Sequence, residues 1–152
     1  MPQGCENYIE LNEASRNSEY QPVDQTCTST GQCYCKEECE CDRPTEDKTT
    51  PITGGGSQWY RFVPPAGVKM EELFLGGDKC GTEYTGCLEG GHPDQVGEVV
   101  ARTVVFGRIL PKPDYNINIK VAKCNDGSTD YFVYRLPYVK EVNQCLRYCG
   151  SY

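Results

Sequence analysis

Tyr115, Ile117, Ile119 and Val121 alternate with Asn116, Asn118 and Lys120, which turns one face of an extended segment toward a core and the other toward water. "YNINIKVAK" (115–123) is therefore the clearest strand in the chain. "NDGSTD" (125–130) supplies turn chemistry, and "YFVYRL" (131–136) is predicted to return as its antiparallel partner. "EVVARTVVF" (98–106) is a second, mostly apolar strand. "QWYRFV" (58–63), rich in aromatics, is another, ended by Pro64-Pro65. In "EVNQCLRYC" (141–149), Val142, Cys145, Leu146 and Cys149 would share one face of a short helix. No stretch sustains a 3.6-residue apolar period for three turns, so long helices are not expected.

The first third reads differently. Residues 1–26 are polar and acidic, with "NYIEL" their one apolar patch. Residues 27–57 hold five cysteines and then a Thr/Pro/Gly stretch that reads as an exposed loop. From Trp59 onward the pattern is that of a β-domain, and the length of 152 residues suits a single domain.

Composition narrows the class. Only 38% of residues are hydrophobic, and sixteen glycines and ten prolines indicate a body rich in turns. A net charge of −7 argues against nucleic acid, which draws on clustered Lys and Arg. No apolar run approaches the ~20 residues that span a bilayer as a helix. Eleven cysteines in this length approach the density of a disulfide scaffold, and such bonds persist in oxidising compartments. A secreted or cell-surface location is expected. "MPQGCENYIELNE" lacks the apolar core of a signal peptide, so the chain reads as a mature fragment. The odd count leaves at least one cysteine without an internal partner.

"WYRF", "CGT" (80–82), "GGHP" (90–93), "YFVYRL" and the closing "CLRYC" occur in an order that resembles the cysteine-rich domain of uromodulin and the pancreatic zymogen-granule membrane glycoprotein. "CENYIELNEASRNSEY" is similar to that domain's opening. The resemblance implies one domain over 1–152, with 28–57 as an inserted hairpin and loop. It also implies three bonds: Cys5–Cys124, Cys27–Cys145 and Cys80–Cys149. Four cysteines usual in the family are absent, one near Leu73-Phe74 and three in "ARTVVFGRILPKP", and they are lost as two whole bonds.

Those assignments leave Cys33, Cys35, Cys39, Cys41 and Cys87. Residues two apart on a strand face the same way, so "CYCKEECEC" (33–41) can fold over Lys36-Glu37-Glu38 with Cys35 facing Cys39 and Cys33 facing Cys41. Two nested bonds are expected, with the crossed pairing (33–39, 35–41) open. Four thiolates could instead hold zinc, but structural zinc favours C-x2-C knuckles and oxidation would claim these thiols first. Cys87 is then either a buried thiol or the site of a bond to another chain.

Catalytic chemistry is sparse. One histidine, His92, sits before Pro93 in an extended turn and offers no nucleophile–base–acid set. Glu71-Glu72 reads as a solvated acidic face, and "NDGSTD" falls short of a calcium loop. No asparagine begins N-x-[ST], so recognition through an N-linked glycan, which the resemblance suggests, is not expected. The expected fold is mainly β and disulfide-rich: two small antiparallel sheets, one or two short helices, and a cystine-stapled N-terminal hairpin. The expected function is a non-enzymatic recognition or adhesion module, without cofactor or metal, whose partner is an extracellular protein or glycoprotein. The alternative is a structural subunit of a secreted fibre, matrix or adhesive, joined through Cys87 or strand edges.

Overall fold

The structure, a computed structural model, describes residues 1–20, 40–44, 49–76, 79–108, 113–139 and 145–152, with the backbone of 25–27 and 33–35. A four-residue helix α1 (Gln3–Glu6) leads into β1 (Ile9–Leu11) and a 3-10 turn (Ala14–Arg16). The strands that follow are β2 (Gln25–Cys27), β3 (Cys33–Cys35), β4 (Gly55–Phe62), β5 (Lys69–Met70), β6 (Tyr84–Glu89), β7 (Val99–Gly107), β8 (Tyr115–Asn125), β9 (Asp130–Pro137), β10 (Leu146–Tyr148) and β11 (Gly150–Ser151). The fold is mainly β. Seven strands form one sheet in the order β1-β4-β9-β8-β7-β6-β10, and β11-β5 and β2-β3 are two-stranded pairs.

The alternation in 115–123 decides the centre of that sheet. Ile119 and Val121 are buried while Asn116, Asn118 and Lys120 are exposed. β8 is hydrogen-bonded on both sides, to β7 from Phe106↔Tyr115 to Val99↔Ala122 and to β9 from Lys120↔Arg135 to Asn125↔Asp130. The 125–130 turn closes the second hairpin, with the Asn125 amide donating to Asp130. The two edges are parallel instead: β1 runs with β4, and β10 with β6.

The inner face carries the main core. Tyr60, Phe62, Leu88, Val104, Phe106, Val121, Tyr134, Leu136, Leu146 and Tyr148 are all buried there. Phe62 meets Tyr134 edge-on at 5.4 Å between ring centroids, and Phe106 meets Tyr148 at 5.3 Å. Each such side chain contributes roughly 1.5–3 kcal/mol by leaving water. A smaller cluster of Cys5, Trp59, Ala122, Cys124, Tyr131 and Val133 lies on the outer face, where α1 caps it. A β-carbon at Gly4 would overlap the Trp59 indole, so only glycine lets α1 close down on the sheet.

Three expectations need correction. Leu146–Tyr148 is a strand rather than part of a helix, because β6 offers it a free edge and its backbone pairs from Leu146↔Tyr84 to Tyr148↔Gly86; Val142 lies outside the described residues. β3 takes a different partner from that of the expected hairpin. It pairs with β2, Cys33 opposite Cys27 and Cys35 opposite Gln25. Finally, Cys145 is bonded to Cys41 and not to Cys27, which also removes the Cys33–Cys41 bond. The physical reason is the backbone at 40–42. Glu40 N–H donates to Gly81 O and Asp42 N–H to Leu146 O, both at 2.8 Å, which sets the Cys41 and Cys145 α-carbons 5.0 Å apart. For Cys35–Cys39, Cys39 lies outside the described residues.

Candidate functional site

Disulfides frame the sheet at both ends. Cys5 and Cys124 are joined across 119 residues with α-carbons 5.7 Å apart, locking α1 to the end of β8. Cys80 and Cys149 are joined across 69 residues and tie the "CGT" turn to the C-terminal segment. The Thr82 hydroxyl of that turn donates to Cys145 O at 2.9 Å, so both C-terminal bridges share one corner. Beside the first bridge, Arg61 lies 3.9 Å from the Tyr131 ring centre and donates to the Tyr8 hydroxyl at 2.9 Å. This cation–π stack seals the edge of the outer cluster.

Beneath the C-terminal corner is a feature that the hydrophobic pattern gave no means of finding. Arg16 and Arg147 are both buried. Arg16 grips Asp42 with two hydrogen bonds, of 2.7 and 2.9 Å, and also donates to Tyr148 O at 3.0 Å. Asp42 in turn accepts from the Thr50 hydroxyl and the Tyr148 N–H. Arg147 donates to Ser15 Oγ and to Cys80 O, and pairs with Glu40 at 2.6 Å. Burial alone would lower the Arg16 pKa and raise that of Asp42, but their mutual attraction outweighs it and drives each the other way. The network nails the 3-10 turn, residues 40–42 and β10 together.

The "GGHP" turn is held by a second polar chain. The His92 side chain is only 6% exposed and packs on Phe132, 4.4 Å between ring centres. Its Nδ1 meets Glu72, and its Nε2 lies 2.7 Å from the Tyr134 hydroxyl, which itself accepts from Met70 N–H at 2.8 Å. The donors and acceptors are all satisfied when the ring is neutral, with Nδ1–H donating to Glu72 and Tyr134 O–H donating to Nε2. Burial lowers the His92 pKa against the opposing pull of Glu72. Glu72 is thus a partner of His92 and not merely part of a solvated face.

Other sequence candidates resolve simply. Asp126 caps its own turn, accepting from the Ser128 and Thr129 N–H groups. Those bonds and the Asn125 amide at Asp130 hold both carboxyls below their ordinary range. No group of three or more potential metal-ligating side chains stands among the described residues. Cys87 is unbonded and buried, its thiol pushed up to about 12 by burial first and then by Glu71 and Glu89. Thr85, two residues earlier on the same face of β6, donates its hydroxyl to Gly76 O, which brings the chain after Glu71 alongside that face.

Between α1 and that segment the outer face of the sheet is open. Across it Trp59, Arg135, Lys120 and Ala101 form one cross-strand row. β4 is bulged between Gly55 and Trp59, where its register with β9 shifts. Gly56 at φ +111° makes the bulge possible. The result is a groove of about 430 Å³ above Ala101, Asn118, Lys120, Arg135 and Pro137, continued past Gln3 and Ser57 by a second hollow of about 690 Å³.

Fold and site together define a disulfide-framed β module. Residues 60–150 match the model of the uromodulin-like domain, and the chain belongs to that family, a group of disulfide-rich, non-catalytic extracellular modules. It is 30% identical over 145 residues to the pancreatic secretory granule membrane major glycoprotein GP2 of the rat, a match covering 95% of this chain and 22% of that protein. The mouse protein of the same name is 32% identical over 91 residues, covering 60% and 17% respectively. The chain thus spans about a fifth of the length of these relatives. No described helix is long and apolar enough to cross a membrane.

Proposed function

We propose that this chain is a non-enzymatic extracellular recognition module whose disulfide frame presents the outer face of the sheet to a protein or glycoprotein partner. The observation that carries this is the open groove on an otherwise covered sheet: α1 caps one end, the segment after Glu71 borders the other, and polar side chains line the gap. Membership in the family supports the extracellular setting, as does a bridge such as Cys41–Cys145, which an oxidising compartment sustains. The 145-residue match to the rat protein supports reading 1–152 as one domain.

The rival reading, a fibre or matrix subunit, meets two obstacles. Cys87 is too buried to cross-link chains without local opening. The sheet edges β1 and β10 are three residues each, short templates for strand addition. The discriminating experiment is surface binding of the domain to panels of extracellular glycoproteins and glycans, alongside light scattering. Saturable binding by a monomer, lost after reduction and capping, supports recognition. Self-association without binding overturns it.

A further inference from the structure

We propose that the outer-face groove is a binding site for an acidic sugar residue, one bearing a carboxylate or a sulfate, with Lys120 and Arg135 holding the anion. This rests on the recognition reading above and names its ligand class.

Lys120 and Arg135 stand directly opposite each other on β8 and β9, and both are exposed. Neither meets a carboxylate among the described residues. Other cations of this chain do find acids, as Lys123 finds Asp130 and Arg108 finds Glu83. Like charges facing each other across a ladder weaken it. With 22 acidic residues in the chain, two cations that stand adjacent without an acidic partner among the described residues accept that weakening, which a ligand anion would relieve.

The surroundings specify the rest. Apart from the bulge between Gly55 and Trp59, backbone groups here are engaged in the ladders of β4, β9, β8 and β7, so an incoming peptide strand finds no open sheet edge and contacts fall mainly to side chains. Beside the two cations the groove offers the Asn118 amide, and the adjoining hollow adds Gln3 and Ser57. Thr103 donates to Asn118 Oδ1 at 3.2 Å, leaving the Asn118 amide hydrogens free for ligand oxygens, and Asn116 is exposed on the same face. Such groups both donate and accept, as sugar hydroxyls do. The wall at Gly55 and Gly56 carries no side chain, so a ring can enter, and about 430 Å³ is within the range of small-ligand sites. Arg135 supplies a planar fork suited to carboxylate or sulfate. The net charge of −7 opposes an extended acidic macromolecule more than a single charged residue placed within about 10 Å of two cations.

The test titrates the full chain with sialyllactose, sulfated lactose and lactose, followed by amide chemical shifts and calorimetry. At least one acidic sugar should bind and shift the amides of Ala101, Asn118, Lys120 and Arg135. Lactose should bind about tenfold more weakly or worse, as loss of charged hydrogen bonds implies. Lys120→Ala/Arg135→Ala should weaken acidic-sugar binding by the same factor without lowering the thermal midpoint, since it relieves a repulsion. Arg135→Gln gives the same direction should the double variant lose its fold. Equal binding of lactose, or acidic-sugar binding indifferent to these variants, overturns the proposal. If no acidic sugar binds while the glycoprotein panel still does, the site assignment falls and the recognition reading stands; if both fail, both fall.

Discussion

Arg16 and Asp42, 26 residues apart and both fully buried, form a two-pronged ion pair beneath the Cys41–Cys145 bridge. The aspartate also receives the Tyr148 N–H, so one carboxylate joins the N-terminal arm, the segment after the cysteine cluster and the last strand of the sheet. A buried pair of this kind contributes little net stability over a well-packed apolar pair, but breaking it strands a charge.

Asp42→Ala should therefore destabilise the domain by about 3–5 kcal/mol, read as a lower midpoint in urea with the bridges intact. Arg16→Met/Asp42→Leu should recover much of that loss. The Asp42 carboxyl is held below its ordinary value, Arg16 and the Tyr148 N–H outweighing burial. Its contribution is present above the unfolded pKa of about 3.9 and is lost as pH falls below that. Wild type should weaken through this range more steeply than the apolar double variant.

His92 gives a separate pH dependence. Its folded pKa is lowered, burial prevailing over Glu72, so the unfolded chain binds the proton first and stability falls as pH drops below about 6.5. Protonation would also turn Nε2 into a donor against Tyr134, whose oxygen already receives Met70 N–H. His92→Gln should flatten the stability profile between neutral pH and the carboxylate range. An unchanged slope would assign it to another group.

Peptide mapping of the intact protein should recover a fragment joining Cys41 to Cys145, and none joining Cys27 to Cys145. The bridge spans 104 residues, for which chain-entropy arguments give about 4.7 kcal/mol. Cys41→Ser/Cys145→Ser should lose a sizeable part of that, with the ion pair beneath keeping the corner in register.

Cys87 should resist iodoacetamide in the native protein at pH 8 and react once the chain is unfolded without reductant, monitored on its own peptide by mass. Its burial and a thiol pKa near 12 both suppress the thiolate. A native dimer that reductant dissolves would contradict this.

Local patterning carried the central sheet. The alternation of Tyr115 to Val121, the Asn125–Asp130 turn and the aromatic run before Pro64 each point to a strand without help from distant residues, and β8, β9 and β4 lie there. The cysteine cluster was less legible. Spacing in "CYCKEECEC" describes which sulfurs could meet in an isolated hairpin, whereas the ladder from residues 40–42 to Gly81 and Leu146 takes Cys41 elsewhere. The buried arginines were illegible for a similar reason: Arg16 sits in a polar stretch and Arg147 is a lone charge between Leu146 and Tyr148, and only the return of β10 beside the 3-10 turn makes them interior.

The sequence by itself determined a β-rich body, its oxidised cysteine framework and its central strands, because side-chain alternation and turn chemistry act over a few residues. Tertiary structure alone decided that seven strands share one sheet, that Cys145 takes Cys41, and that Lys120 and Arg135 stand together at a groove. These outcomes depend on which distant backbones exchange hydrogen bonds, and a pairing between strands is a property of two segments that neither encodes alone.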